Sequence, residues 1–145
     1  MNFGGVFVVS APKERVFGAV TDPNQVARCI PDLKRLEVKS EGEFEAVVGV
    51  GVSIIRGDLS LRFRTVEKVP YSRVKMVARG TGLGSAVDVE MVTELADGED
   101  GRTSMKWAAE ATVSGKIASF GQGMIKSQAE RIIKQLFDCL RGKLE

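Results

Sequence analysis

The stretch "GKIASFGQGMIKSQAERIIKQLF", from Gly115 to Phe137 near the end of the chain, indicates one long amphipathic helix. On a helical template of twelve positions from Ile117 to Leu140, ten residues are apolar, and the exceptions are Gly121 and Gln128. Small residues nevertheless crowd its first two turns, where a packed core would need bulk: Ala118, Ser119, Gly121 and Gly123. We expect the slim start of this helix to face a space.

Length and composition indicate one ordinary folded domain, residues 1–145, that is large enough to bury a core. The net charge of +2, with Lys and Arg spread along the chain, disfavours a nucleic-acid binder. Apolar runs such as Gly5–Val9 are far shorter than the ~20 residues that a membrane-spanning helix needs. The first residues do not follow the pattern of a secretory signal, so we expect a cytoplasmic protein.

Histidine and cysteine usage narrows the possible chemistry. The sequence contains no histidine, which removes the commonest general base and transition-metal ligand, so we expect no metal site. Cys29 and Cys139 lie too far apart in the sequence to form a Cys-x-x-Cys motif. We expect two buried free thiols in a cytoplasmic chain, and a disulfide between them is the alternative.

The remaining pattern predicts a strand, two short helices and then a strand-rich region. Phe3–Val9 reads as a strand, and two short helices follow that end at Asp22-Pro23 and at Ile30-Pro31. From Leu33 to Val113 apolar residues recur at every second position in six segments separated by turn residues. Short turns of this kind favour antiparallel pairing.

These elements predict an α+β fold, in which a curved antiparallel sheet of about seven strands wraps around the long C-terminal helix. A sheet with one apolar face must bury that face, and the C-terminal helix is the long element available for it. A helix of ~25 residues is ~38 Å long, whereas strands of ~8 residues span ~27 Å. This mismatch leaves room for a cavity between sheet and helix.

Two segments resemble a known family over essentially the whole chain: "SAPKERVFGAVTDPNQVARCIPD" and "GKIASFGQGMIKSQAERIIKQLFDCL". The pattern resembles the helix-grip, START-like (SRPBCC) superfamily, and more closely the CoxG family, named for the G subunit of carbon monoxide dehydrogenase. Some members of that family continue past this helix into a tail thought to attach to the membrane, whereas this sequence ends at Glu145.

The resemblance implies a non-catalytic protein that binds a quinone- or lipid-like ligand and assists a molybdenum hydroxylase of the carbon monoxide dehydrogenase type. It also implies peripheral contact with the inner face of the membrane, and no cofactor apart from such a ligand. One alternative is a protein-interaction, assembly or membrane-recruitment factor without a ligand. The other is a small polyketide-cyclase-like enzyme.

The candidate ligand-binding residues are apolar or amphipathic side chains that the pattern places on the inner face: Phe17, Phe63, Met76, Met91, Trp107, Phe120, Met124, Ile125 and Gln128. Gln128 is the lone amide on an apolar stripe, so it either bonds a ligand carbonyl or finds a backbone, water or solvent partner. Trp107 either stacks on a flat ligand, with its N–H as a donor, or is a core residue. Ordinary core packing is the alternative for the helix residues as well.

The outer face and the turns carry the remaining predictions. Glu90, Glu94 and Glu110 fall on the outer face and no inward acid–base pair is visible, so we do not expect an enzyme. Outer basic residues, among them Arg73 and Arg79, either bind an acidic partner or are neutralised across the sheet. In the Ile54-Ile55 pair, either one side chain lies exposed at a rim or a bulge buries both.

Overall fold

The computed structural model describes residues 1–52 and 54–145. Its helices and strands are β1 Asn2–Val9, α1 Lys13–Val20, α2 Pro23–Arg28, β2 Leu33–Ser40, β3 Glu43–Val52, β4 Ile55–Val69, β5 Arg73–Gly82, β6 Ser85–Asp97, β7 Thr103–Gly115 and α3 Gln122–Leu144. The seven strands form one sheet in the order β1-β7-β6-β5-β4-β3-β2, and every neighbouring pair is antiparallel. The predicted α+β, helix-grip architecture is confirmed.

Local sequence explains how the elements begin and turn. The β5–β6 hairpin turns through Leu83 and Gly84, whose φ angles of 55° and 67° are typical of a two-residue turn matched to the twist of the strands. Helix α2 starts at Pro23 and is capped by Asp22, whose carboxylate accepts a hydrogen bond of 2.9 Å from the Asn24 backbone N–H.

The main core lies at one end of the inner face, where α1 and the second half of α3 cover β1, β5, β6 and β7. Phe137 anchors this core, because its ring lies 4.5 Å from that of Phe7 and 5.8 Å from that of Trp107. A smaller cluster joins α2 to β3 around Ala27, Phe44 and Ala46. The inner face of the sheet is therefore covered by α1 and α3 at the main core and by α2 at β3.

The long helix begins later than the sequence indicates. Ile117–Phe120 forms a separate 3₁₀ turn, and α3 starts at Gln122. Gly115 ends β7 before this turn and Gly121 separates the turn from α3, with φ angles of 86° and 89° in a region that glycine reaches without strain. The prediction of one continuous helix from Gly115 is therefore wrong. Apolar residues keep their helical spacing on both sides of the break, so the sequence pattern does not reveal it.

The two cysteines form a disulfide, so the expectation of free thiols is wrong for this structure. Cys29 ends α2 and Cys139 lies on the side of α3 that faces it, with the two Cα atoms 5.5 Å apart. Their separation of 110 residues in the sequence hides this proximity, since it arises only when α2 docks on α3.

Candidate functional site

The inner face of the sheet carries an apolar cavity of about 160 Å³. Its lining residues come from β4, β5 and β6: Leu59, Leu61, Phe63, Met76, Val77, Ala78, Gly80, Val87, Val89 and Met91. Met76 lies directly opposite Met91 across the β5–β6 pair, and Phe63 lies opposite Ala78 across β4–β5. Phe63 is held by stacking on the buried ring of Phe44, at 4.5 Å between centroids.

The two halves of α3 differ in how well their apolar residues are covered. In the first half Met124 is 43% exposed and Ile132 is also exposed, whereas Phe137, Leu140 and Leu144 in the second half are buried. Gly121 and Gly123 are exposed, and a Cβ atom added at either position would meet no other atom within 4 Å. The slim start of the helix therefore borders open space.

The structure brings three of the predicted site residues together. Phe63, Met76 and Met91 line the cavity. Phe17 is buried in the main core, with its ring edge-on to Tyr71 at 5.6 Å between centroids. Trp107 is also a core residue, and it borders a different slot between β1 and α3.

The four predicted residues around the start of α3 are not in the lining of this cavity. Phe120, Ile125 and Gln128 are half-buried, and Met124 is exposed. Helix α3 starts at Gln122, and its residues Lys126, Glu130 and Ile133 border a different slot, against β1. Binding by these residues, and by the other predicted site residues, stays a prediction.

Sequence reasoning did not nominate several residues that line the cavity. Leu61, Val87 and Val89 belong to the inward sets of their strands, but nothing in the alternation distinguishes them from ordinary core residues. Gly80 is the lining residue that the sequence could have singled out. A glycine at an inward position of a strand often marks a place where another group approaches the backbone closely. A Cβ atom at Gly80 would lie 2.8 Å from Leu61 Cδ2.

The charged groups lie away from the cavity. On the outer face Arg79 donates two hydrogen bonds of 2.8 Å to Asp88, and Arg73 lies 3.8 Å from Glu94, so these predicted cross-strand pairs are confirmed. Elsewhere on the surface, a hydrogen bond to Glu37 raises the pKa of Lys39.

A second pKa shift lies on α3. A hydrogen bond from Lys134 lowers the pKa of the Asp138 carboxyl group, and both side chains are solvent-exposed. Within residues 1–52 and 54–145, no three His, Cys, Asp or Glu side chains cluster as metal ligands. Across the same residues, no helix has the length and apolar character needed to span a bilayer.

One end of the sheet carries a strongly exposed apolar side chain in a turn. The β3–β4 turn, the β5–β6 turn and the connection from β7 to α3 share this end because neighbouring strands are antiparallel. Ile54, in the β3–β4 turn, is 92% exposed, whereas Ile55 is half-buried. The prediction that one of the two isoleucines lies exposed at a rim is confirmed.

A family model that describes CoxG, the G subunit of carbon monoxide dehydrogenase, matches residues 5–145. The chain belongs to this family. The resemblance inferred from the two sequence segments is therefore confirmed over nearly the whole chain. No curated protein sequence is significantly similar to the chain.

Solved structures agree with the family assignment at the level of the fold. A conserved protein from Geobacillus kaustophilus is similar at a TM-score of 0.91 and 25% identity, covering 99% of this chain and 95% of that one. A START superfamily protein from Mycobacterium smegmatis is similar at 0.75 and 12% identity, covering 99% and 96%. The ZhuI aromatase/cyclase from Streptomyces sp. R1128 is similar at 0.72 and 13% identity, covering 99% and 93%. At such low identity the last two show the START-like fold alone.

Proposed function

We propose that this protein binds a quinone- or lipid-like ligand without reacting with it, as an accessory of a carbon monoxide dehydrogenase or related molybdenum hydroxylase. The observation that carries this proposal is the apolar cavity of about 160 Å³ on the inner face of the sheet. Membership of the CoxG family supports the type of partner enzyme.

The size of the cavity favours a ligand of which one part is enclosed. Pockets that hold a whole drug-sized molecule measure ~300–1,000 Å³, so about 160 Å³ takes a ring or the end of a chain. The rest of the ligand then lies along the start of α3, over Met124 and Ile125. In this proposal Gln128, which is half-buried on the same helix, donates its amide N–H to a ligand carbonyl.

The lining supports binding over catalysis. All ten side chains that line the cavity are aliphatic, aromatic, thioether or glycine, and none of them accepts or donates a proton. A cyclase needs groups inside its cavity that move protons. The polyketide-cyclase-like alternative therefore has no support among the residues of this lining.

The exposed end of the sheet suits contact with a membrane surface that stores lipophilic ligands. Ile54 projects there with Arg56 beside it, and exposed Lys116 lies close to the neighbouring β5–β6 turn. An apolar tip with nearby cations matches the chemistry of an anionic bilayer interface. We propose peripheral contact of a cytoplasmic protein with the inner membrane face through this end.

Two measurements test the ligand proposal. Native mass spectrometry of protein purified from its own cells, followed by organic extraction, identifies anything that co-purifies. Titration with a short-chain quinone, followed by the fluorescence of Trp107, then gives an affinity. The matched variants are Ala78→Leu, which fills the cavity, and Ala96→Leu, which adds the same bulk on the exposed outer face of β6.

We expect a co-purifying lipophilic molecule, tenfold or greater loss of affinity in Ala78→Leu, and wild-type affinity in Ala96→Leu. Gln128→Leu should weaken quinone binding and leave the unfolding transition unchanged. A protein that is empty, and whose Trp fluorescence added quinones and lipids do not change, would overturn the proposal and favour the assembly factor. Equal affinity of Ala78→Leu and wild type would place any bound ligand outside this cavity.

A further inference from the structure

The two edge strands of the sheet, β1 and β2, differ in how well they are protected against pairing with another strand. The β2 edge carries four charged side chains, Lys34, Arg35, Glu37 and Lys39, and its pairing with β3 shifts register twice. The β1 edge reads "NFGGVFVV", with neither a charge nor a proline, and pairs with β7 in unbroken register. Charges and bulges on an edge strand prevent it from pairing with another strand, and β1 lacks both.

The backbone groups that β1 presents outward can be identified. Met1 and Ala111 exchange both backbone hydrogen bonds, each of 2.8 Å, so this directly opposed pair is a hydrogen-bonded pair. Hydrogen-bonded pairs alternate with non-hydrogen-bonded pairs along an antiparallel ladder. The backbone N–H and C=O groups of the odd residues of β1 therefore bond to β7. The N–H and C=O groups that face the free edge therefore belong to the even residues: Asn2, Gly4, Val6 and Val8.

Helix α3 runs beside this edge with alternating charges. Lys126, Glu130 and Lys134 border the slot between α3 and β1, and Lys134 donates a hydrogen bond of 2.8 Å to Asp138. From Lys126 to Asp138 the charges along this side of the helix are therefore positive, negative, positive and negative, and Arg141 follows with its guanidinium 5.6 Å from the centre of the Phe7 ring. When a second copy of the helix runs antiparallel to the first, each positive side chain can face a negative one.

We propose that two copies of this chain pair through β1, antiparallel and about a two-fold axis at Gly5, to form one continuous sheet. In this register Val6 lies opposite Gly4 of the second copy, and Val8 lies opposite Asn2. All the outward backbone groups of the even residues then find partners across the interface. Gly5 meets its own copy at the axis, where the absence of side chains permits close approach.

The same two-fold axis also brings opposite charges on the α3 helices of the two copies together. Phe7 lies against Phe137, and Phe3 and Glu130 both line the slot between β1 and α3. In the proposed dimer, the level of Gly5 on β1 corresponds to the stretch between Glu130 and Lys134 on α3. The axis therefore sets Glu130 of one copy opposite Lys134 of the other, and Lys126 opposite Asp138. One symmetry operation satisfies both the strand edge and the helix charges, as a closed two-fold dimer requires.

Sedimentation equilibrium of the full chain over a wide concentration range tests this dimer. Val6→Lys places two like charges beside the axis on a side chain that is 60% exposed, so it should raise the dimer Kd by about tenfold or more. Val66→Lys is the matched control, because Val66 is also exposed, at 44%, and lies on β4 away from this edge. It should leave the Kd unchanged.

A charge exchange tests the antiparallel register itself. Glu130→Lys should weaken the dimer, because it opposes two lysines across the axis. Adding Lys134→Glu to the same chain should restore the dimer, because opposite charges face each other again. Amide hydrogen exchange should show the N–H groups of Gly4, Val6 and Val8 gaining protection as concentration rises.

Three results would each overturn the proposal. The first is a monomer at every concentration up to the millimolar range. The second is a dimer that Val6→Lys leaves intact while the amides of Gly4, Val6 and Val8 exchange freely. The third is failure of the Lys134→Glu exchange to rescue Glu130→Lys in a protein whose circular dichroism shows an intact fold.

Discussion

The disulfide between Cys29 and Cys139 should contribute a large share of the stability of this fold. It closes a loop of 110 residues and ties α2 to α3. In the chain-entropy model, such a cross-link lowers the entropy of the unfolded chain by ~16 cal/mol/K, which is about 5 kcal/mol at 25 °C. Single domains have a total free energy of unfolding of ~5–15 kcal/mol, so the reduced protein should be marginally stable.

Urea unfolding of the same protein with and without a thiol reductant measures this contribution. Comparing the oxidised and reduced forms keeps both cysteine side chains in place, so the packing around them is unchanged. With an m-value of ~2 kcal/mol/M, a loss of about 5 kcal/mol lowers the urea midpoint by about 2.5 M. Coincident midpoints, or two free thiols by mass spectrometry after exposure to oxidised glutathione, would refute the reasoning.

Further perturbations have separate expected results. Gly115→Ala should lower the free energy of unfolding by more than about 2 kcal/mol by urea titration, because its Cβ would collide with the Gly84 carbonyl oxygen at a positive φ. Thr103→Val should cost about 1–3 kcal/mol in calorimetry, since the buried hydroxyl donates a hydrogen bond of 2.6 Å to the Ala11 carbonyl oxygen. Met124→Ser should leave the urea midpoint nearly unchanged and weaken quinone binding in fluorescence titration. Quinone affinity should not vary between mildly acidic and mildly alkaline pH, because no titratable side chain lines the cavity.

The fold was predictable because its signals are local and repeated. Each strand between Leu33 and Val113 alternates apolar and polar residues, and the turns between them carry glycine, proline or acidic residues. The two-residue turn at Leu83–Gly84 follows from such a signal. A one-faced sheet followed by a long amphipathic helix allows few arrangements, so the helix-grip architecture follows from burial alone.

The site was less predictable because it depends on where the helix starts and how it packs on the sheet. Alternation correctly placed Phe63, Met76 and Met91 on one inner face. It could not report that the backbone breaks at Gly121, which moves the start of α3 and leaves Met124 outside the lining. Hydrophobic spacing specifies which face of a helix is apolar, and the distance from that face to the sheet is a tertiary property.

The two halves of α3 differ in how much apolar surface folding buries. Burial of a large apolar side chain contributes ~1.5–3 kcal/mol, and the second half of the helix obtains this at Phe137, Leu140 and Leu144. In the first half Met124 and Ile132 stay exposed, so folding gains little from these two side chains. Under the proposed function, a lipophilic ligand covers the start of the helix, and binding then supplies burial that folding leaves out.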